Sequence, residues 1–194
     1  MSDWVSEVSI TGSIRHRRPQ LIDLAAKRLR IMHGKYSPAL LLPALRLFIE
    51  ARNKAIAAGF TDNGGAIHSV ERILDLLCQR VKYPSLRHIN NLKKDMDAEC
   101  SVDAHQARQR GDSVLIEHVL PKRAFAKVVI QIVGSGATDE EILSYIKNNY
   151  RLVLLTHQET AALNRLNRSN ISPDRLSDAG IFLATVNVQP NKPE

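Results

Sequence analysis

Two short runs, SVLIEHVLP at 113–121 and LVLLT at 152–156, are dense in β-branched and apolar side chains, and the chain around them is patterned for helices. Two strands of about four to eight residues cannot enclose a core by themselves, so helices must cover them. The fold class this implies is α+β, mostly helical. IFLATVNV, at 181–188, reads as a weaker third strand.

The helices can be placed by periodicity and punctuation. Pro19 opens a first one through Leu21, Ile22, Leu24, Leu29 and Ile31, ending near Gly34. Ser37 and Pro38 start a second that runs to about Ala58, with Leu41, Leu45, Phe48, Ile49 and Ile56 in its apolar stripe and Gly59 as its stop. A third spans about Ile67 to Val81, and Tyr83-Pro84 breaks it. A more polar helix is expected over about 85–108. After the first strand, 122–132 and 138–149 read as helices, the latter with Thr138 and Glu141 spaced for a capping box. Another follows LVLLT, from about Gln158 to Leu166, and a short one is expected around Asp174–Ala179. The change of character at Gly111-Asp112 suggests two parts: a basic helical part over 1–110 and a site-bearing part over 111–194.

Charge separates the same two regions. The chain of 194 residues carries a net +7, and all of it falls in residues 1–97, which hold 16 Lys and Arg against 9 Asp and Glu. The rest is balanced, 11 against 11. Arg15, Arg17, Arg18, Lys27, Arg28, Arg30 and Lys35 form the densest basic stretch. Such a surface attracts phosphates, and its bland counterpart is a solvated basic face. With 44% hydrophobic residues, the chain can bury a core without disulfides, and wholesale disorder is excluded. Cys78 and Cys100 stand in no zinc-ligand spacing. No apolar run approaches the roughly 18 residues of a membrane span, and MSDWVSEVSITGS lacks a secretion signal's basic start and apolar stretch. A cytoplasmic protein, off the membrane, is expected.

The segment richest in chemistry is Glu117-His118-Val119-Leu120-Pro121, an acid and an imidazole at a strand's end with a proline to turn the chain. LVLLT and a helix bearing His157, Glu159 and Asn164 follow. This order of strand, acid-His, strand and polar helix resembles the HNH, or ββα-metal, endonucleases, here with helices inserted between the strands. The stretch LNRSNISPDRLSDAGI, at 166–181, is similar to the tail of a phage and bacterial group carrying an EHVxP motif.

The resemblance implies a divalent-metal endonuclease that hydrolyses DNA in a phage, restriction or antiphage-defence setting, with protein partners of such a system conceivable. It implies His118 as the general base, Glu117 as a carboxylate on Mg²⁺ or Mn²⁺, and Asn164 as the helix ligand, with His157 and Glu159 as rivals. Imidazole titrates near neutrality, and a hard cation takes carboxylate and amide oxygens, so the residue types suit these roles. Lys122 and Arg123, just past the base, are candidate phosphate contacts beside the basic stretch.

Two features resist this reading. The family's middle residue, expected at the start of the second strand, is replaced by Tyr150 and Arg151. Neighbouring residues of a regular strand also point to opposite faces, so Glu117 and His118 can share a site only if the strand ends or bulges there. The rival functions are therefore a catalytically inert nucleic-acid-binding module of the same fold and a helical interaction subunit.

Overall fold

The computed structural model describes residues 36–184. The expected helix over 19–34, the basic stretch Arg15, Arg17, Arg18, Lys27, Arg28, Arg30 and Lys35, and the end of the 181–188 strand lie outside these residues.

Helix α1, Pro38–Ala57, begins where Ser37 and Pro38 place its start. Its last turn closes on Gly59, whose φ of 93° is open to a residue without a Cβ. Helix α2, His68–Lys82, buries Val70, Leu74, Leu77 and Cys78 along one stripe. The polar stretch expected as one helix over 85–108 is instead a 3-10 helix, Ile89–Lys94, and then a separate α3, Val102–Gln109. The physical reason is local. Ser101 caps α3 by accepting from the Ala104 amide, and its own amide donates to the Leu154 carbonyl, so the chain before α3 is extended along the sheet edge.

Strand β1, Leu115–His118, pairs antiparallel with β2, Leu152–Leu155. Between them run α4, Lys122–Gly134, and α5, Asp139–Asn149; the capping box of Thr138 and Glu141 is formed as its spacing predicts. Helix α6, His157–Leu166, follows β2 directly, and a four-residue helix α7, Arg175–Asp178, comes last. The chain is mostly helical around one two-stranded sheet, an α+β protein. No helix among the described residues is long and apolar enough to cross a membrane.

The sheet has two covered faces. Leu152 and Leu154 join the larger core, with Leu41, Leu45, Leu74, Leu77, Val129 and Ile146 from α1, α2, α4 and α5. Val153 and Leu155 point the other way into a smaller core with Val119, Leu163, Leu176 and Ile181. All four β2 residues are buried, which is why LVLLT is apolar without alternation. Each fully buried Leu or Val adds roughly 2 kcal/mol of transfer free energy. The larger core runs from Leu41 to Leu154, across residue 110. The expected division near that residue is therefore not a packing boundary: within the described chain, helices on both sides of it share one apolar interior.

Candidate functional site

β1 decides which side chains can meet. Its register sets Glu117 opposite Val153 and His118 opposite Leu152. With period-two alternation, His118 faces the larger core, with Ile116, while Glu117 faces the smaller one. The strand stays regular through His118, so the bulge or early end that would have united the two side chains does not occur. Pro121 turns the chain only after both residues have been committed to their faces.

On the first face His118 meets Asp75 of α2. Nε2 lies 3.0 Å from Asp75 Oδ1, and the two side chains are only 17% and 11% exposed. The Tyr150 hydroxyl donates to the same carboxylate oxygen at 2.9 Å and lies 3.2 Å from Nε2, its ring edge-on to the imidazole. Lys122 Nζ donates to Asp75 Oδ2 at 3.0 Å. Burial alone would raise the Asp75 pKa, but the hydrogen bonds and positive charge of His118 and Lys122 outweigh it and hold the carboxyl well below its ordinary 3.8. Burial, and then the neighbouring Asp75 charge, push the Tyr150 phenol far above its usual range, so it is a permanent donor here.

These partners fix the imidazole's tautomer. An ionised carboxylate accepts from Nε2–H, which leaves the lone pair on Nδ1, and Nδ1 has no hydrogen-bond partner among the described residues. This is the arrangement of a carboxylate-oriented histidine, able to take a proton at Nδ1 while its other nitrogen is held. The backbone around it is clamped as well. Arg175, 3% exposed, donates to the carbonyls of His118 at 2.7 Å, Val119 at 3.2 Å and Asn167 at 2.9 Å.

The other residues assigned from the sequence are distributed elsewhere. Glu117 is half-buried, its carboxyl pushed up by desolvation and only partly relieved by the charges of His118, Arg175 and Lys122. Asn164 is exposed on α6, the helix that packs on Glu117's side of the sheet. His157 is exposed at the start of α6, its Nε2 3.0 Å from Ser113 Oγ. Glu159 completes a capping box with Thr156 and accepts from Ser101 Oγ at 2.8 Å. Its carboxylate therefore joins the start of α6 to the start of α3, and the Thr-x-x-Glu spacing in the sequence was its readable signal. Arg123 is committed to Glu71 at 3.0 Å, Asn63 at 3.3 Å and His68 at 3.2 Å.

The structure therefore does not assemble Glu117, Asn164 and His118 into one cation seat. Glu117 and Asn164 do not share a face with His118, and both oxygens of Asp75, the carboxylate that does, are hydrogen-bonded to protein. No cluster of three His, Cys, Asp or Glu side chains poised for a metal is found among the described residues. An acid between Leu74 and Leu76 in an amphipathic helix reads as part of its solvent face, but Asp75 flanks the buried stripe. Tyr150 was visible only as the residue occupying the family's middle position.

A cleft of about 570 Å³ opens beside this cluster, with His118, Asp75 and Lys122 in its wall. No family model matches the chain, and no curated protein or solved structure matches it either.

Proposed function

We propose that the chain is an endonuclease that hydrolyses DNA phosphodiester bonds, with His118 as its general base. The observation that carries this reading is the Asp75–His118 pair at the wall of an open cleft: a histidine with one nitrogen oriented by an ionised carboxylate and the other without a hydrogen-bond partner among the described residues. In-line attack on a phosphodiester needs such an acceptor, with a pKa near neutrality and within hydrogen-bond reach of the nucleophile. Asp75 holds the tautomer and stabilises the imidazolium that forms. Tyr150 keeps Asp75 in place from the side, and Arg175 fixes the carbonyl end of β1 on which His118 is mounted.

Glu117 and Asn164 are not placed to hold a cation beside His118. A plasmid cleavage assay with Mg²⁺ or Mn²⁺, with EDTA and His118→Ala as controls, tests the reading. Nicking or linearisation lost in His118→Ala supports it. Loss with EDTA as well would mean that cleavage needs a divalent cation. No cleavage by the wild-type chain would overturn it in favour of the inert DNA-binding module. The separation of Glu117 from His118 is the observation that favours that second reading.

A further inference from the structure

The cleft beside His118 holds more positive charge than the Asp75–His118 pair uses. Helix α2 lines it with Arg72, Asp75, Leu76, Gln79 and Arg80, spaced as one stripe along a helix. The segment after Tyr83-Pro84 adds Arg87, and the start of α4 adds Lys122. Four cations thus face a single carboxylate, that of Asp75, whose oxygens already serve His118, Tyr150 and Lys122.

The arginines differ in how they are held. Arg80 donates to the Leu86 carbonyl at 2.9 Å and the Arg87 carbonyl at 3.4 Å, which ties the turn carrying Arg87 to α2. Arg72 and Arg87 are exposed, and neither guanidinium has an acidic partner among the described residues. Unneutralised cations in a concave wall focus a positive potential and raise the local concentration of polyanions. A guanidinium offers a planar fork matched to phosphate oxygens.

We infer that this cleft seats the DNA strand, with Arg72 and Arg87 each neutralising a backbone phosphate of the strand presented to His118 and Arg80 acting as the positioning residue for Arg87. The inference rests on the endonuclease reading for the role of His118, but its binding claim stands or falls separately.

The test uses the full chain and a fluorescently labelled DNA duplex, with anisotropy titrations in EDTA over a range of salt concentrations. Each duplex phosphate contact contributes about 0.9 to the slope of log K against log salt. Arg72→Ala and Arg87→Ala are expected to flatten the slope by about that much each, and the double variant by about twice as much, equally on unrelated sequences. Arg→Lys at either position restores the slope, because the term counts charges. Arg165→Ala, on α6 outside the cleft, leaves it unchanged. An unaltered slope in the Arg72→Ala/Arg87→Ala double variant overturns the inference, even if the wild-type chain cuts DNA. The expected flattening in a chain that never cuts DNA upholds the cleft and overturns the endonuclease. No DNA binding at all overturns both.

Discussion

Glu117 and His118 are adjacent in the chain and lie in opposite environments. His118 looks onto a polar cluster in which burial is outweighed, so that Asp75 stays ionised far into acid. Glu117 looks onto an apolar cluster in which burial dominates, so that its carboxyl resists ionisation although Arg175 is near. Burial penalises both acids; what differs is the number of donors aimed at each. Two carboxyls flanking one histidine, one through sequence and one through space, are thus tuned in opposite directions, and only the spatial neighbour is equipped to orient the imidazole.

The largest effect expected from this contrast belongs to Asp75→Asn. An Asn side chain can donate to Nε2, which would put the proton on Nδ1 and remove the acceptor. Cleavage should fall by about 10²- to 10⁴-fold in a nicking assay run at neutral pH. The same variant has a signed pH dependence. Because the folded pKa of Asp75 is depressed, its ionised form stabilises the fold above the ordinary value of 3.8, and that contribution is lost as pH falls through the folded value. Urea denaturation should show a wild-type advantage at pH 5 that shrinks in stronger acid. An advantage that grows on acidification would contradict the pairing.

Next in size is Arg175→Met. Removing a buried guanidinium that serves three carbonyls should cost about 3 kcal/mol of unfolding free energy, measured by urea denaturation at neutral pH. A loss of only a few tenths would mean that the end of β1 is held by its ladder alone.

Glu117→Gln sharpens the comparison further because its sign is reversed. A carboxyl whose folded pKa is raised destabilises the fold when ionised, fully so above the folded value and not at all below the ordinary 4.5. The amide should therefore raise the melting temperature at pH 7, and the gain should vanish as pH drops below 4.5. Cleavage should be unchanged. Cleavage abolished by Glu117→Gln with stability intact would restore the cation role and break the contrast drawn here. Smallest of all is Asn164→Ala, an exposed site where stability should move by less than about 0.5 kcal/mol and cleavage not at all.

Local structure was largely readable before any coordinates. The Pro38 and Thr138 helix starts, the buried run LVLLT and the strand bearing His118 all follow from capping chemistry and periodicity, which act over a few residues. The polar stretch 85–108 reads as one helix but is broken because Ser101 pairs with the edge of β2, a contact 53 residues away in the chain that no local pattern announces. The site divided along the same line. His118 stands out in the sequence by its strand-end context, and its separation from Glu117 follows from the period of a strand. Its true companions do not stand out, since Asp75 comes from 43 residues upstream and Tyr150 from 32 downstream. The capping role of Glu159 is legible in the Thr156-x-x-Glu159 spacing.

The span from Asp75 to Tyr150 also has a meaning in time. Synthesis proceeds from the N-terminus, and the carboxylate, the imidazole and the phenol emerge in that order, with the last 75 residues after the first. Until β2 has added to β1 and Tyr150 has reached Asp75, the histidine is only a side chain on an unpaired strand. A nascent chain on the ribosome would thus carry all three side chains before it carries the cluster they form.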